Sequence, residues 1–211
     1  MVQSMTPYPM SLSIDYPERP LNRLTTFFRI FTAIPIFIIL AFMAGSNGNQ
    51  ETAAGEVSWE YTAATVFLPL MLMLLFRKKY PKWWFDWNLA LTKFGTRICA
   101  YIALLRDEYP STDEEQAVHI DIPYPNAEQD LQRGMPLVKW FLAIPHYIIL
   151  TFLYIGVIFC VVIAWFTILF TGRYPRGLFD FVVGVIRWSL RVEAYSCLLT
   201  TDRYPPFSLD A

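Results

Sequence analysis

The chain has 211 residues and a net charge of −1, and 55% of its residues are apolar. Its mean hydropathy of +0.35 is too high for an ordinary water-soluble domain. No charged residue occurs in 30–45, 61–76 or 140–172, and a bilayer requires uncharged stretches of this length whereas a soluble core does not. Composition therefore predicts an integral membrane protein.

The chain repeats itself around these apolar runs. Segment 28–40 reappears 110 positions later as 138–150, and segment 76–87 returns 94 positions later as 170–181. Self-similarity at this scale indicates one module used twice. We therefore predict an all-α integral membrane protein of two tandem modules, each a transmembrane helical hairpin followed by an amphipathic interfacial helix.

The predicted boundaries follow from the apolar runs and the turn-rich segments between them. The first module covers residues 1–110, with its hairpin at about 28–76 and its interfacial helix at about 82–105. An acidic cytoplasmic linker, 111–136, leads to the second module, 137–211, with its hairpin at about 137–171 and its interfacial helix at about 177–200.

Short β-strands are possible before each module. Residues 12–16 and 118–122 alternate between apolar and polar side chains with a period of two. Two interpretations are open: strands that pair with each other across the two halves, or a solvated extended linker.

The distribution of positive charge predicts the topology. All Lys and Arg residues lie outside 30–76 and 140–172, so the positive-inside rule places both flanks of each stretch in the cytoplasm. Each stretch is then expected to cross out and back, the second through a turn near residues 154–156. A single helix over 140–172 would be roughly 50 Å long, which exceeds a hydrocarbon core of about 30 Å. Full spanning is preferred, and a re-entrant hairpin is the alternative.

A stripe of basic residues marks each predicted interfacial helix. Lys93 and Arg97 recur 94 positions later as Arg187 and Arg191, at helical spacing after an acid. With Arg173 and Arg176, these residues are predicted to bind anionic lipid headgroups. The alternative is that the stripes pair across the halves with Asp86 and Asp180.

His146 is the one ionisable group in the long apolar run. An ionisable residue within a membrane is a functional hypothesis by default, although a position near the boundary also suits a headgroup contact. The two histidines and three separated cysteines have no ligand spacing, so no metal site is expected. No nucleophile–base pair or phosphate-binding loop is present, so neither a catalytic residue nor a cofactor is predicted.

The second half carries several specific motifs: 143–147 (Ala-Ile-Pro-His-Tyr), 169–175 (Leu-Phe-Thr-Gly-Arg-Tyr-Pro), Arg187-Trp188 and 201–207 (Thr-Asp-Arg-Tyr-Pro-Pro-Phe). On these motifs the chain resembles the bacterial membrane family called domain of unknown function 4389. The first half resembles a divergent second copy, with Ile36 in place of the histidine. The resemblance implies a multi-pass protein of the bacterial inner (cytoplasmic) membrane with cytoplasmic termini, and implies no catalytic residue.

These observations favour a non-catalytic accessory subunit or scaffold that engages anionic lipid headgroups through its basic helices. The expected partners are membrane lipids, with a membrane-protein partner or a second copy of the chain as further possibilities and no nucleic acid. Two alternatives stay open: a small transporter or lipid-handling protein, and a membrane-bound lipid-modifying enzyme.

Overall fold

The computed structural model describes residues 8–43, 70–112 and 114–210. In chain order its helices and strands are β1 (Ser11–Ile14), α1 (Arg23–Phe27), α2 (Arg29–Met43), α3 (the helical residues 70–77), α4 (Lys82–Ile102), β2 (Val118–Asp121), α5 (Met135–Thr171) and α6 (Arg176–Ser196). The described part is therefore mostly helical with two short strands. The loop predicted for the first hairpin lies outside the described residues.

The two strands pair with each other, as one of the open interpretations required. β1 and β2 are antiparallel, with Leu12 opposite Ile120 and Ile14 opposite Val118. These four apolar side chains are buried while the polar residues between them face outward. The period-two pattern thus reports a real sheet, which ties the beginning of the chain to the linker between the halves.

α4 and α6 begin and end at positions 94 residues apart. Each follows a proline in extended conformation, Pro81 or Pro175, because proline fixes the backbone for a helix start and cannot continue a preceding helix. Each is followed by a leucine with a positive φ angle, Leu104 or Leu199. The segments predicted as interfacial helices, at about 82–105 and about 177–200, lie on α4 and α6.

The predicted second hairpin is wrong, because Met135–Thr171 forms one unbroken helix without a turn at residues 154–156. Gly156 is helical and costs the helix only about 1 kcal/mol, and Phe181 of α6 packs against it. The helix ends at Gly172, which has φ 74° and donates its N–H to the carbonyl of Ile168. The prediction rejected a single helix because its length exceeds the hydrocarbon core, but the helix is nevertheless continuous over 37 residues.

α6 lies at the centre of the second half. It packs antiparallel to α5, as shown by the hydroxyl contacts Tyr154–Ser189 and Tyr147–Ser196, both 2.8 Å. Most of its side chains are buried, and β1 packs on it as well. The apolar side of α6 that was predicted to sink into lipid therefore packs against protein.

In the second half the large exposed apolar surface lies on α5 instead. Among the described residues, α5 is the one helix whose length and composition are sufficient to cross a membrane.

Candidate functional site

The start of α5 is joined to the segment after α6 by a buried ion pair. The ammonium of Lys139 lies 2.8 Å from a carboxylate oxygen of Asp202 and donates to the carbonyl of Thr201 at 2.7 Å. It also lies 5.1 Å from the ring centroid of Tyr195. Lys139 is fully buried, so these contacts replace its hydration. We call Lys139, Tyr195, Thr201 and Asp202 the Lys139 cluster.

The first half contains the same arrangement, which we call the Arg29 cluster: Arg29, Tyr101, Arg106 and Asp107. The Arg29 guanidinium lies 2.6 Å from Asp107, donates to the carbonyl of Arg106 at 3.1 Å and stacks 4.0 Å from the Tyr101 ring centroid. Its members precede those of the Lys139 cluster by 110 positions for the cation and 94 or 95 for the others.

Even the backbone contacts to the two carboxylates correspond. The second carboxylate oxygen of Asp107 accepts the N–H of Asn22 at 2.6 Å, and that of Asp202 accepts the N–H of Gln132 at 2.7 Å. Asn22 and Gln132 are again 110 positions apart. The similarity between the sequence segments predicted a repeat but not these clusters, because the paired residues lie more than 60 positions apart.

His146 is fully buried beneath the C-terminal segment. Its Nδ1 accepts the indole N–H of Trp188 at 3.0 Å, which assigns the proton of the neutral ring to Nε2. Phe207 stacks on the imidazole with ring centroids 4.0 Å apart, and Tyr204 lies at 4.8 Å. Nε2 has no hydrogen-bond partner among the described residues. The histidine is thus enclosed by aromatic rings of its own chain.

The first half fills the corresponding place with apolar side chains. Ile36, Phe94 and Ile98 form a buried cluster with Tyr101, and Ile36 and Phe94 precede His146 and Trp188 by 110 and 94 positions. One half therefore packs a hydrogen-bonded His–Trp pair where the other packs an Ile–Phe pair.

The basic stripe of α6 holds other parts of the chain. Arg187 donates to the carbonyls of Leu12 and Leu209, both at 3.1 Å. Arg191 donates to the carbonyls of Ser208 and Asp210. Burial, reinforced by the charge of Arg187, lowers the pKa of Arg191. These guanidinium groups fasten β1 and the C-terminal segment to α6.

The stripe of α4 is more open. Arg97 donates to the carbonyl of Ser111 at 2.7 Å, and Lys93 is partly exposed. The alternative of acid–base pairing across the halves is not observed: Asp86 is exposed, and Asp180 lies 3.8 Å from Arg176 of its own helix. A lipid contact by either stripe stays a prediction.

Four arginines surround the C-terminal end of α5, and we call them the arginine collar: Arg19, Arg23, Arg173 and Arg176. All four are exposed. Arg23 donates to the carbonyl of Phe170 at 3.3 Å, and the Arg176 guanidinium lies 4.5 Å from the ring centroid of Tyr16. Arg19 and Arg173 line one shallow cavity beside Gly172. Sequence inspection selected Arg173 and Arg176 but could not join them to residues about 150 positions earlier.

A largely apolar cleft of about 670 Å³ lies between α4, α5 and α6. Glu193 lines it, with the Thr92 hydroxyl 3.4 Å from its carboxylate. Burial raises the pKa of Glu193, an effect that the Thr92 hydrogen bond partly offsets. Cys99 lines the same cleft and precedes Glu193 by 94 positions. Among the described residues, no group of three or more His, Cys, Asp or Glu side chains is placed to hold a metal ion.

The Lys139 cluster, the His146 enclosure and both helices that carry them lie in one continuous segment. Residues 135–208 match the family model of DUF4389, a domain of unknown function. The DUF4389 segment is about a third of the chain, and it confirms the resemblance for the second half. No match was found among curated proteins or among solved structures.

Proposed function

We propose that this protein is a non-catalytic accessory subunit or scaffold of the bacterial inner membrane that binds anionic lipid headgroups. The observation that carries the proposal is the arginine collar, exposed at the end of the apolar helix α5. A basic residue near an anionic membrane surface contributes about 1 kcal/mol to binding. Four such residues beside one apolar helix give lipid both a hydrocarbon contact and a headgroup contact.

The structure alters the relative weight of the predicted lipid contacts. Arg187 and Arg191 already donate to backbone carbonyls, so a headgroup must compete with the protein for them. Arg173 and Arg176 are exposed and have more donors free for phosphate. We therefore assign the main headgroup contact to the collar and a smaller one to Lys93 and Arg97.

We also propose that the chain contains two copies of the module, the first divergent, in a multi-pass protein whose crossings lie in the first predicted hairpin, at about 28–76, and whose termini are cytoplasmic. The Arg29 and Lys139 clusters support the repeat, because contacts of the same kind recur at the offsets of the sequence match. The acidic linker is the part of the molecule most suited to a protein partner, since its charge stays outside the membrane.

The test is lipid retention after purification in a gentle detergent, measured by mass spectrometry of phosphatidylglycerol and cardiolipin per protein molecule. The variant R173Q/R176Q is expected to retain about thirtyfold less anionic lipid, because two headgroup contacts of about 1 kcal/mol each are lost. The same preparation reports any protein that co-purifies in fixed proportion.

Two controls keep this test specific. R133Q removes an exposed arginine at the opposite end of α5 and should retain more lipid than the collar variant. R187Q/R191Q removes the carbonyl contacts on α6 and should lower thermal stability more than lipid content. Unchanged lipid content in a folded R173Q/R176Q variant would contradict the proposed function.

A further inference from the structure

We infer that α5 lies along the cytoplasmic surface of the membrane, parallel to the bilayer plane, with its exposed apolar face sunk into the boundary between headgroups and acyl chains. The inference rests on the membrane association in the proposed function, and it specifies how the helix meets the bilayer. The ligand of this surface is thus one leaflet of an anionic membrane.

The length and the flanking charges of α5 support this orientation. Its 37 residues extend for about 55 Å, against a hydrocarbon core of about 30 Å. Arg133 precedes the helix and Arg173 and Arg176 follow it, so the positive-inside rule places both ends in the cytoplasm. Since the helix has no turn, both ends reach the same side only when it lies in the membrane plane.

The contacts of α6 give an independent reason. α6 packs along the middle of α5 through Ser189 and Ser196 and carries Arg187 and Arg191 at the same level. If α5 crossed the bilayer, these charges would lie near the midplane, at a cost of at least about 2.5–3.5 kcal/mol each. The extended C-terminal segment that they bind would enter the hydrocarbon with them, where irregular lipid-exposed backbone does not occur.

The exposed face of α5 has the composition that lipid requires. Phe141, Phe152, Phe159 and Phe166 follow one another along the helix and are each more than half exposed. No charged residue occurs between 140 and 172. Interfacial helices usually carry their own polar face; here α6 and the C-terminal segment cover the other side of α5, β1 packs on α6, and together they supply that face. The amphipathic unit is therefore the packed pair of helices.

The experiment measures the depth of single spin labels at Phe141, Phe152, Phe159 and Phe166. The three native cysteines are replaced by serine, and the protein is reconstituted in vesicles of phosphatidylethanolamine and phosphatidylglycerol. Collision rates with oxygen and with a water-soluble nickel chelate then report depth. A label at the exposed Ser11 of β1 is the aqueous reference, and circular dichroism with a thermal melt verifies the fold of each variant.

An in-plane helix predicts the same shallow depth at all four positions, about 5–10 Å below the headgroups. A crossing helix predicts a graded profile, since Phe141 and Phe152 differ by about 16 Å along the axis, and this result would overturn the inference while leaving headgroup binding intact. Labels in water at all four sites would overturn both proposals. Low collision rates with both reagents, together with spin–spin broadening between chains, would show that a second copy covers the face and would also overturn the inference.

Discussion

The Arg29 and Lys139 clusters perform the same structural task in different surroundings. Both tie the chain that leaves an amphipathic helix to the start of an apolar one. The Asp107 side chain is 27% exposed, and the Arg29 guanidinium distributes its bonds over two nitrogens. Asp202 is 14% exposed and Lys139 is fully buried, with both polar contacts made by one ammonium. The path of the chain thus brings the same kind of ion pair together in both halves. The depth at which each pair is buried determines how much stability should be lost when the pair is broken.

The same contrast extends two helical turns further into each half. Ile36 and Phe94 pack without any polar contact, whereas His146 and Trp188 bury two ring nitrogens and pair them with each other. Because the apolar version fills an equivalent place, packing alone does not require the histidine. Removal of either partner would leave the other's buried nitrogen unpaired, at a cost of about 1–3 kcal/mol.

The largest expected effect is therefore at Asp202. D202N leaves the Lys139 ammonium buried without a carboxylate and should cost about 3–5 kcal/mol. D107N should cost about 1–3 kcal/mol, since Asp107 is more exposed. For a chain of this size, thermal unfolding should show a loss of roughly 10 °C for D202N and a few degrees for D107N.

The double variant K139M/D202L is the matched control, because it removes both charges and preserves apolar volume. It should recover most of the stability that D202N loses. Equal losses for D202N and D107N would show that enclosure does not distinguish the two clusters.

The His–Trp pair is expected to give a smaller and strongly coupled effect. H146I leaves the Trp188 N–H unpaired, and W188F leaves the His146 Nδ1 unpaired, so each should cost about 1–3 kcal/mol. H146I/W188F reproduces the residue pair of the first half and should cost less than the sum, with a coupling energy of about 1–2 kcal/mol. The smaller phenylalanine ring leaves some residual loss.

Thermal unfolding of the four proteins measures the coupling. The reciprocal pair I36H/F94W in the first half tests whether the exchange works in both directions. Additive losses in the second half would mean that the hydrogen bond to His146 contributes nothing beyond the two side chains' separate packing.

The helical spacing of the basic stripes was sufficient to predict α4 and α6, whereas the alternation of apolar and polar residues left the two strands as one of two open interpretations. Proline before Lys82 and Arg176 and alternation around Leu12 and Ile120 are local features, and local features determine these elements. The offset of 110 positions between the similar segments also identified Lys139 as the counterpart of Arg29. Only the structure shows what each cation binds. Ion pairs of this kind depend on where the chain returns, which no local pattern reveals.

The length of α5 was mispredicted for a different physical reason. Gly156 and the small loop proposed beside it suggested a turn, but the decisive assumption was that an apolar run must cross the membrane. That assumption says nothing about the local backbone, which stays helical through Gly156. The stripe arginines were correctly placed on one helical face. Their partners are the backbone carbonyls of Leu12, Leu209 and Ser208. Because every residue has a backbone carbonyl, the sequence could not identify these partners.

The smallest expected effect concerns Glu193 and Cys99, which occupy equivalent positions on the cleft. Burial raises the pKa of Glu193 above its ordinary value of 4.5, so the native protein binds an extra proton between the unfolded and native pKa values. Stability should then fall as the pH rises from about 4.5 through the native pKa, and stay constant above it.

E193Q keeps a partner for Thr92 but removes the titration, so its unfolding temperature should lose this dependence and exceed that of the parent at pH 7. C99S should leave the profile unchanged in shape, since the thiol, whose pKa burial raises, is neutral throughout. Parallel profiles for E193Q and the parent protein between pH 4.5 and 8 would mean that the carboxylate of Glu193 is hydrated in the cleft. The difference between Glu193 and Cys99 would then have no effect on how stability depends on pH.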